Sequence, residues 1–202
     1  MSFFAVLFAL LIEQLKPLPG RNVVHAAMSS WLRWAGHNFN AGRDHHALVV
    51  WLITVPLPAL LAWGVHVALG HFGLVFVLVW DVAVLYLTLG FRQFSHAFTE
   101  IVEALRIGNL DRARVLLTDW RGEAAAEYNG TEIAKVAIEE GLISSHRHVF
   151  GVIFWFLILP GPSGALLYRL SGVLENKWGS RSQEDYGDFG KFAQKAFHYL
   201  DW

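Results

Sequence analysis

The sequence contains no cysteine among its 202 residues, so disulfide bonds and thiolate metal sites are excluded, and nothing indicates the redox compartment. Charged residues make up only 16%, whereas soluble domains have about 25%. A net charge of -1 gives no electrostatic reason to expect nucleic acid as a partner. Hydrophobic residues, by contrast, make up 54% of the chain. We therefore predict an all-α, polytopic integral membrane protein that is multi-pass in the cell inner membrane, with membrane lipid as a partner.

Apolar runs of differing length organise this predicted membrane domain, which covers residues 1–202. The clearest predicted spans are 47–69, where Pro56 and Pro58 predict a kink, and 73–91. Because only three residues separate these spans, we expect a tight helical hairpin. The other predicted segments are a marginal apolar helix at 2–12, cytoplasmic helices at 92–148, a broken apolar segment at 149–168, and a polar, then amphipathic tail at 175–202, which we expect to be truncated.

Basic residues set the predicted orientation of the hairpin. Its loop has none, whereas arginines and lysines precede the first span and follow the second. By the positive-inside rule, both flanks are cytoplasmic and the loop faces outward. Residues 92–148 then form a small cytoplasmic helical layer, in which Thr131 is expected to cap a helix. His96 and Glu100 share a helix face there, and we interpret them as a solvated pair rather than a metal site.

Asp81 lies in the middle of the second predicted span. A carboxylate within a membrane is costly enough to be a functional candidate by default. The alternative is structural, with Asp81 bonded to a polar group on a neighbouring helix. The sequence favours neither interpretation.

A basic cluster of His146, Arg147 and His148 precedes the aromatic run of the broken segment. At a cytoplasmic membrane face such a cluster suits an anion, for example a phosphate or a lipid headgroup. The other interpretation is that these are interfacial residues ending a membrane segment. The two histidines are two residues apart and lie on different faces of a helix, so no metal site is predicted.

Tyr168 and Arg169 close the broken segment at its other end. The apolar run from 149 to 159 is shorter than the roughly 20 residues that a membrane-crossing helix needs. If the whole segment is re-entrant, Arg147 and Arg169 return to one interface and form a joint anion site. If it crosses the membrane, they lie on opposite sides.

Two segments carry a resemblance to a known family. Residues 103–117, EALRIGNLDRARVLL, contain a turn followed by A-R-x-L, and residues 154–179, FWFLILPGPSGALLYRLSGVLENKWG, contain G-P-x-G-A-L-L-Y-R. In order and spacing they resemble the CobD/CbiB family of integral membrane proteins. Its best-known members make adenosylcobinamide phosphate by joining an aminopropanol unit to adenosylcobyric acid in cobalamin biosynthesis. The resemblance implies this function, with a corrinoid or phosphorylated small molecule as ligand, and leaves the cofactor and the catalytic residues unassigned.

Several polar positions depart from the synthase pattern. The synthases have Asp-Leu-Leu where this chain has Glu13-Gln14-Leu15, and Asn-Thr-Leu-Asp where it has Gly172-Val173-Leu174-Glu175. They also have Glu-Asn and Asp-Gly near the position of the basic cluster. Losing carboxylates and amides removes ligands for a metal-nucleotide complex, so enzymatic activity stays open. The segments LFALLIEQL and FHYLDW are also similar to AmpE proteins, which are associated with β-lactamase induction. The alternative function is therefore a non-enzymatic membrane sensor or regulatory protein.

Overall fold

The structure is a computed structural model that describes residues 2–16, 28, 30, 31, 34, 44–176 and 187–201. Every regular element in these residues is a helix, so the all-α class is confirmed. The chain divides into two compact units. The large unit is Met1–Leu89 with Phe150–Trp202, and the small unit is Gly90–Val149. The idea that the whole chain acts as one membrane domain stays a prediction.

The helices follow one another with short connections wherever the structure describes the chain. They are α1 (Ser2–Leu15), α2 (Asp44–Thr54), α3 (Pro56–Gly70), α4 (Leu74–Thr88), α5 (Phe91–Arg106), α6 (Leu110–Arg121), α7 (Gly130–Ser145), α8 (Gly151–Ile158), α9 (Ser163–Leu174) and α10 (Gly187–Leu200). A short π-helix, His146–Phe150, follows α7 in the sequence.

Two prolines interrupt the first apolar stretch, as the sequence predicts. Helix α2 ends at Thr54 and α3 begins at Pro56, where a missing backbone N–H costs no helical hydrogen bond. The hydroxyl of Thr54 donates to the carbonyl oxygen of Val50 at 2.7 Å. The polar side chain is thereby satisfied inside an apolar environment.

Helices α3 and α4 form a tight hairpin in the large unit. Residues 71–73 join them, and Gly73 has a φ of 128°, a value that glycine adopts readily. The indole N–H of Trp80 on α4 donates to the carbonyl oxygen of Ala62 on α3 at 3.1 Å. Helix α1 packs along α4, and the Tyr86 hydroxyl donates to the carbonyl oxygen of Lys16 at 2.7 Å.

Two helical stretches of the described chain are long and apolar enough to cross a membrane. They are Leu48–Gly70, with mean hydropathy 2.1, and Gly130–Ile158, with mean hydropathy 1.3. The second predicted span is a helix of only 15 residues, α4. At 1.5 Å per residue it is about 22 Å long, short of the roughly 30 Å hydrocarbon core. A polytopic arrangement therefore remains a proposal.

The broken apolar segment is an antiparallel helical hairpin. Gly151, at the start of α8, lies against the ring of Tyr168 on α9. Gly164, at the start of α9, is so close to α8 that a Cβ there would overlap the carbonyl oxygen of Trp155. The chain reverses at residues 159–162, where Gly161 has a φ of 61°. The two helices therefore run back along each other within the large unit, and a re-entrant course in a membrane stays a prediction.

The small unit consists of α5, α6 and α7 around its own core. That core contains Ile101, Ala104, Ala113, Leu117, Ala125, Ile133 and Ala137. The predicted cap at Thr131 is wrong. Asn129 caps α7 by accepting from the backbone N–H groups of Thr131 and Glu132, and the Glu132 side chain accepts from the Asn129 N–H. This reciprocal pair satisfies more free N–H groups than a threonine cap.

Candidate functional site

Asp81 is buried on α4 and contacts a histidine of the neighbouring helix. Its Oδ1 lies 2.8 Å from Nδ1 of His66 on α3, and the side chains are 5% and 25% exposed. The sequence left open whether Asp81 has a polar partner, and the structure provides one. The pair joins the two helices of the α3–α4 hairpin in addition to the Trp80 hydrogen bond.

The tip of the α8–α9 hairpin rests on His66. A Cβ at Gly161 would lie 2.9 Å from two atoms of the imidazole ring, Cγ and Nδ1, so only glycine allows the approach. Next to the tip, the Ser163 hydroxyl donates to the carbonyl oxygen of Pro160 at 2.8 Å. Three segments of the large unit therefore meet at His66: α3, α4 and the hairpin tip.

Tyr168 occupies the open end of the same hairpin. It is 1% exposed, and its hydroxyl donates to Oδ1 of Asp201, just beyond α10. Its ring also packs on Phe197, with centroids 5.6 Å apart. The indole N–H of Trp155 donates to the carbonyl oxygen of Leu200 at 2.9 Å, so α10 is fastened to both helices of the hairpin.

Arg169 follows Tyr168 and interacts with a carboxylate of α1. Burial lowers the pKa of the Arg169 guanidinium from its usual value, while charge interactions with Tyr168 and Glu13 act in the opposite direction. Arginine stays protonated at physiological pH, so a buried cation lies within electrostatic range of the Glu13 carboxylate. Glu13 is 5% exposed, and its Oε2 is fully buried.

The basic cluster of the small unit forms most of the π-helix. His146 is exposed, whereas Arg147 and His148 are half-buried. The carbonyl oxygen of His148 accepts from the Gly90 N–H at 3.3 Å, and its ring meets that of Phe94 edge-on at 6.3 Å. The two histidines thus have different surroundings. Single π-turns are rare and frequently lie at functional sites.

An apolar cavity of about 350 Å³ lies between α3, α4 and α9. Its lining includes Leu61, Val65, Trp80, Thr88 and Leu166. The Trp80 N–H and the Thr88 hydroxyl donate to backbone carbonyl oxygens, so neither is free for a ligand. The apolar lining therefore makes the cavity unsuited to a charged substrate.

A family model described as CobD/Cbib protein matches residues 3–202. The chain belongs to the CobD/Cbib family. The resemblance inferred from residues 103–117 and 154–179 is therefore confirmed. No solved structure matches the chain.

Three curated relatives show how far the similarity of this CobD/Cbib chain extends. Cobalamin biosynthesis protein CobD of Stutzerimonas stutzeri is 29% identical over 99% of this chain and 65% of its own length. The Chromobacterium violaceum protein of that name is 34% identical over 77% of this chain and 47% of its own length. Probable cobalamin biosynthesis protein CobD of Thermoplasma volcanium is 25% identical over 93% of this chain and 60% of its own length. The chain spans about half to two thirds of the length of these relatives.

The predicted site residues of this CobD/Cbib chain fall into separate groups. Tyr168 and Arg169 lie together in the large unit, whereas His146, Arg147 and His148 belong to the small unit. The joint anion site of Arg147 and Arg169 therefore stays a prediction. Asp81 belongs to the group at the hairpin tip.

Sequence reasoning missed His66, Glu13 and Asp201 as partners of the predicted residues. His66 is the only ionisable residue between 47 and 69, which is a signal that a buried carboxylate elsewhere needs a partner. Glu13 stands at a family aspartate position, and the sequence alone shows it only as a departure from the synthase pattern. Asp201 gave no signal, because its contact with Tyr168 joins residues 33 positions apart.

No group of three or more histidine, aspartate or glutamate side chains that could hold a metal ion occurs in the described part of the chain. Nε2 of His96 lies 3.4 Å from Oε1 of Glu100, with side chains 73% and 41% exposed. Exposed pairs of this kind contribute little to stability. The geometry is that of a solvated helix face.

Proposed function

We propose that this chain acts in cobalamin biosynthesis, at the step that joins an aminopropanol unit to adenosylcobyric acid. The observation that carries the proposal is the family match, which covers residues 3–202 and so nearly the whole chain. The names of the relatives indicate the pathway, which is cobalamin biosynthesis. The proposed setting is the cytoplasmic face of the inner membrane, with the basic residues on that side.

Two of the apparent departures from the synthase pattern keep a carboxylate. Glu13 and Glu175 stand where the synthases have aspartates, and each has an oxygen buried within the protein. A glutamate conserves the negative charge of an aspartate, and its side chain is longer by one methylene group. This supports an active enzyme over a protein that has lost its polar site.

Arg169 at the hairpin's open end, Glu13 on α1 and Glu175 after α9 carry charges that suit the proposed reactants. The reaction joins an amine to a carboxylic acid, and the guanidinium of Arg169 has a planar fork of donors for a carboxylate or phosphate. The carboxylates of Glu13 and Glu175 suit an ammonium group. We therefore assign Arg169 to the anionic reactant, and the glutamates to the amine.

The test is deletion of the gene in its own host, followed by mass spectrometry of the corrinoids. Adenosylcobyric acid should accumulate, and expression of the wild-type chain should remove it. Arg169→Lys should restore the product poorly, because lysine keeps the charge but loses the bidentate geometry. Arg112→Lys, at an exposed position of α6, is the matched control and should behave as wild type.

Deletion without any accumulation of adenosylcobyric acid would overturn the proposal. If the deletion instead changed β-lactamase induction, the AmpE-like alternative would replace it.

A further inference from the structure

His66 is the point at which a titratable pair meets a reversal of the chain. Its Nδ1 lies 2.8 Å from the buried Oδ1 of Asp81, and the hairpin tip packs on its ring through Gly161. The His66 side chain is one quarter exposed, and Nε2 makes no hydrogen bond to a described residue. A proton can therefore reach the pair from outside while the carboxylate remains covered.

The tip itself brings no charge to this contact, since residues 159–163 are Leu, Pro, Gly, Pro and Ser. The helices packed against α3 and α4 also carry titratable groups. These are the amino terminus, Glu13 and Lys16 on the α1 side, Asp44, His45 and His46 on α2, Tyr86 on α4, His71 after α3, and Tyr168 and Arg169 on α9. In the described structure, only Asp81 is paired with His66.

The number of protons held by the pair sets its net charge. With one proton shared between imidazole and carboxylate, the pair is neutral overall and its hydrogen bond is complete. A second proton gives a net positive charge among apolar side chains, which is costly and which hydration relieves. Hydration of the ring face that Gly161 covers requires the tip to leave it, whereas the exposed quarter of the His66 side chain is already accessible to water.

We propose that His66 and Asp81 form a proton-sensitive latch, which holds the tip of the α8–α9 hairpin against α3 and releases it on acidification. The latch would control a hairpin whose other end carries Tyr168 and Arg169. It goes beyond the proposed function and does not depend on it, since its readout is the position of the tip.

A nitroxide attached to the exposed tip tests the latch. The chain has no cysteine, so Pro160→Cys gives a single labelling site without disturbing the contact between Gly161 and His66. Continuous-wave electron paramagnetic resonance of the purified protein in nanodiscs then reports the ratio of mobile to immobile label. Between pH 7.5 and pH 5 this ratio should rise several-fold, because the released state holds the second proton more tightly than the docked state does.

The matched control is the double variant H66Q/D81N with the same label. Glutamine and asparagine keep a hydrogen bond of similar shape but do not titrate, so the ratio should no longer change with pH. A label at Phe72→Cys, in the exposed α3–α4 turn, should be insensitive in both proteins. A wild-type ratio constant across this pH range, or the same pH dependence in the double variant, would overturn the latch.

A second measurement avoids any failure of the double variant to fold. Hydrogen exchange of the unlabelled wild-type protein, corrected for intrinsic rates, should show the peptide covering 159–166, in which the Leu159 and Leu166 N–H groups are hydrogen-bonded, losing protection on acidification. The α3–α4 turn is the internal reference. An equal change of protection in the tip peptide and in the α3–α4 turn would also overturn the proposal.

Discussion

Replacement of Gly164 by alanine tests the hairpin on which the candidate site depends. The Cβ of an alanine at this position would overlap the carbonyl oxygen of Trp155, which is backbone and cannot rotate away. Helices α8 and α9 must therefore move apart. Because Trp155 also donates to Leu200 and Tyr168 to Asp201, the attachment of α10 should be disturbed as well.

The expected loss is about 1–3 kcal/mol, the usual cost of overpacking a well-packed contact. For a chain of this size about 1 kcal/mol shifts Tm by roughly 2–4 °C, so the midpoint should fall by about 2–12 °C. Thermal unfolding in detergent, followed by tryptophan fluorescence, measures it. The wild-type protein in the same detergent is the reference.

Gly64→Ala is the matched control, because nothing lies within 4 Å of a Cβ at that position in α3. There the change removes a flexible residue from a helix interior, and the midpoint should rise by an amount equivalent to about 0.5–1 kcal/mol. A Gly164→Ala protein as stable as the Gly64→Ala protein would refute the close approach of α8 and α9. The antiparallel hairpin would then have to be abandoned.

Three further predictions concern charge and placement. Asp81→Leu should leave membrane insertion intact or improved, because a mid-span carboxylate costs about 2.5–3.5 kcal/mol on insertion scales. Cell fractionation with a folding assay checks this. Degradation of the variant would show that the His66 contact is needed for folding. Single-cysteine labelling should place position 71 outside and residues 92–147 inside, and labelling of position 71 only after permeabilisation would reverse the orientation. Arg147→Lys and Arg169→Lys should each raise the corrinoid concentration needed for half-maximal product formation, and a double change costing less than the sum would indicate one shared ligand.

Much of the fold follows from local patterns in the sequence. Apolar runs, the two prolines and the short connection at 71–73 predict the helices and the turns between them. The cap of α7 was misjudged because Thr131 and Asn129 are both good caps, and the choice depends on Glu132 three residues after the asparagine. The helix within the second predicted span ends at Thr88, although Leu89 and Gly90 continue the apolar run, and the span itself stays a prediction.

The candidate site was less predictable, because its contacts join residues far apart in the sequence. Asp81 and Arg169 were identified as unusual by their positions, but their partners are 15 and 156 residues away in His66 and Glu13. The close packing of α8 on α9 also required the structure. The contacts of Gly151 with Tyr168 and of Gly164 with Trp155 show that the chain reverses, whereas a crossing or re-entrant course in a membrane stays a prediction.

The His66–Asp81 pair and the group of Tyr168 and Arg169 lie at opposite ends of one hairpin, and this separation constrains how they can act together. Helix α8 has eight residues, so the tip at His66 and the open end at Tyr168 are about 12 Å apart along the hairpin axis. The side chains between them are apolar, and no series of hydrogen bonds among the described residues connects the tip with the open end. A proton at the tip can therefore influence a ligand at the open end only if α8 and α9 move as one body. The glycine contacts at 151 and 164 give the hairpin that rigidity, since they bring the two helices together at both ends.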